Sequence, residues 1–216
     1  MPQYVKIIIL IAMLGIVGVF FLFFLLITIK KHKIRNMYLA IDQLLNQIVK
    51  ENENFELAKS TEPEYDYKLK TNNNVYYLKV IPNFDSEEIT INNSVKWQLR
   101  KSFNDNTMRF VPDVEGFMRY EIAHDEIVEN IESTNNGLNE KEMTFSDLGL
   151  DAINNQKDEK QYMKSVKMYI IYPNAKSLLM YINECEMKFV NPNTDVYGTR
   201  VVTFQELVKN RDSLIK

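Results

Sequence analysis

The sequence predicts an α/β domain, a mixed β-sheet with flanking helices, carried behind one N-terminal transmembrane helix. Three observations lead there. Ile7 to Ile29 (IIILIAMLGIVGVFFLFFLLITI) is an uncharged apolar run, and at about 1.5 Å per residue it crosses a hydrocarbon layer of roughly 30 Å. The region that follows contains short strand-like segments around an asparagine-rich turn. The last third sets apolar strand-like runs beside helix-capping signals, a pattern of parallel strands joined by crossovers.

The basic residues KKHKIR (Lys30 to Arg35) follow the apolar run, against Lys6 alone ahead of it. A cleaved signal would carry its charge first and a shorter apolar core. The positive-inside bias therefore puts residues 1–6 outside, a membrane span at 7–29, a basic anchor at 30–36 and a cytoplasmic domain at 37–216. Residues 1–36 hold five basic residues and no acid, which leaves 21 basic against 29 acidic residues in the remainder, a net of −8. An acidic domain argues against a nucleic-acid backbone as partner, because phosphate neutralisation supplies most of that affinity. The one cysteine, Cys185, excludes an intrachain disulfide, and two histidines leave little for a structural zinc site.

Met37 to Lys50 places Met37, Ile41, Leu44, Leu45 and Ile48 on one helical stripe, to be buried on its own domain or used to pair two copies of the chain. Polar residues 51–64, with Pro63, break the pattern. Glu64 to Val80 (EYDYKLKTNNNVYYLKV) then reads as a hairpin turning at Asn72 and Asn73, which tolerate positive φ. That register pairs Leu69 with Tyr76, Tyr67 with Leu78 and Tyr65 with Val80 on one apolar face, and sets Asp66 opposite Lys79 on the other.

A short strand at Glu88 to Asn92 and the single tryptophan, Trp97, come next. Gly116 to Ser133 suits a helix through Phe117, Tyr120, Ile127 and Ile131, although Met118, Tyr120 and Ile122 also alternate as in a strand. Residues 134–160 read as a polar surface loop with a helical piece from Phe145 to Ile153. Lys167 to Pro173 is an apolar strand; Asn174 is placed to cap a helix, AKSLLMYINEC, ending at a buried Cys185; Glu186 to Val190 is a second strand. The three make a strand, helix, strand unit with a parallel pair. Arg200 to Phe204 is the last strand, and Thr203 with Glu206 has capping-box spacing for a terminal helix.

Several chemistries lack their residues. The six glycines are isolated or lie in the apolar run, so neither a P-loop nor a dinucleotide loop can be drawn, and no G-x-S-x-G elbow occurs. Glu121 and His124 form one E-x-x-H pair, where a di-iron bundle needs two such pairs and two further glutamates; a packed or solvent-edge histidine is expected. Asp66 and Lys79 are the sharper candidates. A magnesium ion needs at least two converging carboxylates, and a nearby lysine can activate the attacking water.

Glu64-Tyr65-Asp66, the hairpin, YYLK, Trp97-Gln98, YIIYPNAKSLLMYI and VVTFQELVKN together resemble the nuclease-related domain, a branch of the restriction-endonuclease-like superfamily, over most of residues 37–216. The resemblance implies a restriction-endonuclease-like fold and, where the motifs are intact, a metal-dependent nuclease. Glu64 and Asp66 match its E-x-D, Lys79 matches the lysine of I-E-x-K, and Tyr77 stands where that motif has its acid. It implies a catalytic set of Asp66, Lys79 and Glu64 with Asp66 as metal ligand, short of one carboxylate. The expectation is a single-pass membrane protein whose cytoplasmic domain, without a cofactor, binds or scaffolds a protein partner. The alternative is an anchored nuclease in which Glu51 or Glu53 completes a magnesium site.

Overall fold

The structure, a computed structural model, describes residues 2–102, 107, 109–122 and 163–215. Its first element, α1 (Gln3–Glu51), is one unbroken helix of 49 residues, about 74 Å long. The expected span, anchor and amphipathic helix are therefore a single rod. Its first half is long and apolar enough to cross a membrane. Phe20, Phe21, Leu22, Phe23 and Phe24 are each at least 60% exposed, an apolar surface far larger than a water-soluble domain carries.

The second half of α1 is core. Met37, Ile41, Leu45 and Ile48 are at most 4% exposed, and they pack on a five-stranded sheet ordered β1 (Glu56–Lys59), β2 (Tyr67–Lys70), β3 (Asn74–Asn83), β7 (Lys164–Pro173), β10 (Thr199–Thr203). β1, β2 and β3 are antiparallel neighbours, whereas β3, β7 and β10 run parallel. The terminal helix α3 (Phe204–Leu214) shares this face of the sheet, through Leu207 and Leu214. It begins at the expected capping box: the Thr203 hydroxyl accepts from the Glu206 amide, and the Glu206 carboxylate accepts from the Thr203 amide.

The opposite face of this sheet meets a second one, ordered β6 (Arg109–Phe110), β5 (Trp97–Arg100), β4 (Glu88–Ile91), β8 (Leu178–Tyr181), β9 (Met187–Phe189). Tyr77, Ile81, Ile89, Ile91, Trp97, Tyr169, Ile171 and Val201 form the core between them. Trp97 and Tyr169 lie ring to ring at 4.6 Å. The central strands must therefore be apolar on both faces, and β3 is: Tyr76, Leu78 and Val80 meet the helices, while Val75, Tyr77 and Ile81 meet the second sheet.

β3 and β7 each turn a corner into the second sheet, continuing as the parallel pair β4 and β8. Buried Asn83 fastens the corner: its amide donates to the carbonyls of Glu87 and Asn174, and its oxygen accepts from the Glu87 amide. The buried Glu87 carboxylate is paired with Arg109 at 2.8 Å.

Three expectations are corrected here. Residues 175–185 are not a helix: Leu178–Tyr181 is strand β8, paired with β4 and β9, and Cys185 is exposed in the turn between β8 and β9. A four-residue apolar run fits either period, and the backbone partner offered by β4 decides it. Glu186 to Val190 contributes β9, antiparallel to β8 in the second sheet, so the parallel neighbours of β7 are β3 and β10. Among the described residues of the helix predicted from Gly116, only those to Arg119 are helical, as part of α2 (Val114–Arg119). The Lys167 ammonium accounts for its end, donating to the carbonyls of Phe117, Met118 and Tyr120; burial holds that ammonium below the ordinary lysine range. Residues 123–133 and the loop at 134–160, with its helical piece, lie outside the described residues.

Candidate functional site

The hairpin forms in the predicted register as far as Tyr67 opposite Leu78 and Leu69 opposite Tyr76. One residue earlier the chain leaves the ladder and turns over. Tyr65 does not join Val80 on the helix face; it packs in the core between the sheets, edge to face with Tyr77 at 5.1 Å. Asp66 is correspondingly carried to the helix side, where Oδ1 accepts from the Tyr38 hydroxyl of α1 at 3.1 Å and Oδ2 from the Val80 amide at 2.7 Å. The predicted pairing of Asp66 with Lys79 is thus replaced. Lys79 lies on the other face of β3, and its Nζ donates to the Pro63 carbonyl at 2.6 Å.

A second carboxylate joins the Asp66 cluster from α1. Asp42 stands four residues after Tyr38, so both side chains leave the same side of the helix. Its Oδ1 accepts from the Tyr67 hydroxyl at 2.8 Å and its Oδ2 from Lys59 Nζ at 2.7 Å. The result is a row of phenols and carboxylates, Tyr38 with Asp66 and Tyr67 with Asp42, along the seam between α1 and the sheet. Burial, then the Asp66 charge and hydrogen bond, push the Tyr38 phenol up to about 12. Tyr67 is raised further, by burial first and then by its bond to Asp42. Neutral phenols facing carboxylates are stable donors, so the row clamps helix to sheet.

The remaining expected site residues do not converge on Asp66. Tyr77, at the position of the missing acid, is 1% exposed and enclosed by Tyr65 and Tyr120. The Tyr120 phenol is raised by burial and by its hydrogen bond to Glu62. Glu64 is half-buried two residues before Asp66. Glu51 lies thirteen residues beyond Tyr38, about 20 Å further along α1, and is paired with Arg211 at 2.9 Å. Glu53 is exposed just past the helix end, and His124 lies outside the described residues. Among the described residues, no three His, Cys, Asp or Glu side chains come together as metal ligands.

Sequence reasoning missed Tyr38, Asp42 and Lys59. The available signal was a polar pair four residues apart on α1, bordering its apolar stripe. An open cleft of about 460 Å³ was also missed, at the carboxyl ends of β7 and β10, where Asn174, Lys176, Phe189, Thr203, Gln205 and Lys209 face one another. Asn174 and Gln205 are joined across it at 3.0 Å, and Phe189 is 70% exposed at its rim. Such ends of parallel strands are where open α/β sheets commonly receive ligands. Comparison with known proteins adds no relative: no family model, no curated protein and no solved structure matches this chain.

Proposed function

We propose that the chain is a single-pass membrane protein whose cytoplasmic α/β domain recognises a protein partner and does not cut nucleic acid. The observation that carries this reading is the engagement of the nuclease-like residues in holding the fold. Asp66 ties Tyr38 to the Val80 amide, Lys79 is tied to the Pro63 carbonyl, and Tyr77 fills a buried aromatic cluster. A hard cation takes six or more oxygens, several of them from carboxylates. Recruiting Asp66 would release Tyr38 and leave α1 without one of its ties.

The resemblance to the nuclease-related domain then fits a lineage that keeps the scaffold and lacks the metal set. The orientation follows from the basic residues after the apolar half of α1. The cleft at the ends of β7 and β10 is the surface we assign to the partner, because it combines an exposed aromatic anchor, Phe189, with amide and lysine groups at its rim.

The test is an assay of the purified full chain with single- and double-stranded DNA and RNA in magnesium and in manganese. No cleavage above a metal-free control is expected. Metal-dependent cleavage that disappears in Lys79→Ala would establish the anchored nuclease instead.

A further inference from the structure

The geometry points to an anionic-phospholipid site in the wedge between α1 and the β3–β4 turn, with Lys30 and Lys33 holding the headgroup phosphate. This inference rests on the reading that α1 spans the bilayer with the domain on the cytoplasmic side, and it adds a lipid specificity to that reading.

Lys30, Lys31, Lys33 and Arg35 are all exposed, and among the described residues no carboxylate pairs with any of them. Lys59, Lys70, Lys176 and Arg211, by contrast, each have a carboxylate partner. The first acid along α1 is Asp42, already engaged by Lys59 and Tyr67. Among the described residues, then, no carboxylate competes with an outside anion for these four cations.

Depth identifies the anion. Lys33 is four residues past Ile29, about 6 Å along the helix axis, and each polar layer of a bilayer is about 5 to 7 Å deep. Because α1 is continuous, the collar cannot swing away from that layer.

The domain reaches the same depth. β3 runs back along α1, so that Lys33 Nζ lies 5.8 Å from the centre of the Phe84 ring in the β3–β4 turn. Phe84 begins an aromatic row, 6.3 Å to Tyr172 and 5.0 Å from there to Phe204, along the ends of β3, β7 and β10. At 3.6 residues per turn, Lys30 and Lys33 fall in line with Met37, Ile41 and Leu44, beneath the domain, whereas Lys31 and Arg35 fall away from that stripe, in line with Tyr38 and Asp42. The wedge is therefore walled by two lysines and an aromatic ring. The turn also exposes Asp85, which repels phosphate and confines it to the helix side.

The test uses the full chain in mixed phosphatidylcholine and phosphatidylserine nanodiscs, with lipids retained on release counted by native mass spectrometry. Wild type should retain phosphatidylserine at least tenfold over phosphatidylcholine. Each cation contributes about fivefold near an anionic surface, so K30Q/K33Q should lower the ratio more than tenfold. K188Q, on β9, should leave it unchanged. Equal retention of the two lipids by wild type overturns the proposal without any variant having to fold. An equal loss in K188Q also overturns it, as does a K31Q/R35Q loss as large as that of K30Q/K33Q. A chain that integrates and shows no lipid preference defeats only this inference; a chain that alkaline carbonate strips from the bilayer defeats the anchored reading and this one together.

Discussion

At the scale of residues, Asp66 ties α1 to β3 by accepting from the Tyr38 hydroxyl and the Val80 amide. The two-residue period of a hairpin places Asp66 beside Lys79, and it would do so if the ladder ran one residue further. The turn-over at Tyr65 exchanges the two faces, because a tyrosine there gains a buried aromatic core and an aspartate gains two donors. Asp66→Ala removes the acceptor from a hydroxyl and a backbone amide at once, and should destabilise the chain by about 3 kcal/mol in chemical denaturation. Tyr38→Phe, which leaves the amide satisfied, should cost about 1 kcal/mol. The phenols also set a pH limit. Tyr38 ionises near 10 when unfolded and near 12 when folded, so above pH 10 the unfolded state loses its proton first and stability falls. The contribution is complete below pH 10 and lost as pH rises through 12. Thermal melts should decline as pH rises past 10, with a shallower decline in Tyr38→Phe; an unchanged slope in that variant would rule out Tyr38 as a cause of the decline.

At the scale of elements, what could be read from the sequence is what local pattern alone determines. The stripe of Met37, Ile41, Leu44, Leu45 and Ile48 is buried as a unit, and the Thr203–Glu206 capping box starts α3. The hairpin register follows from alternation wherever both strands stay in the ladder. The reading failed where a short apolar run fits two periods. Leu178–Tyr181 could pack as helix or strand, and only the parallel partner β4, nearly ninety residues earlier, selects the strand. It failed again at α2, whose C-terminal carbonyls are capped by a lysine from β7 that no local window contains. The clamp residues Tyr38 and Asp42 were hidden for the same reason: their partners come from another element. Two substitutions weigh these causes. Leu45→Ala, in a fully buried position, should cost 2 to 5 kcal/mol. Lys167→Met should release α2, seen as faster amide exchange at Tyr120 with little change in β7; equal protection in variant and wild type would contradict the capping role.

At the scale of the whole molecule, one helix joins an exposed apolar half, long enough to cross a membrane, to a half buried in the domain core. Its first half presents apolar side chains all round, its second half only on the side facing the sheet, and the boundary falls at the basic collar. On the proposed anchored reading, the domain is held at the bilayer surface without a linker, with the ends of β3, β7 and β10 toward the membrane and the Asn72–Asn73 turn away from it. A partner bound in the cleft would be presented at a fixed height. This rigidity depends on the seam between α1 and the sheet, and hence on Asp66 remaining a tie and not a metal ligand. The most direct test is the melting temperature of the full chain and of Asp66→Asn, each in chelator and in 10 mM magnesium or manganese. Neither ion should move the wild-type melt, and Asp66→Asn should melt lower by the same amount in every buffer. An ion bound a hundredfold below its working concentration would stabilise the fold by about 2.7 kcal/mol; a rise of that size in wild type, abolished by Asp66→Asn, would contradict the role of Asp66 as a tie.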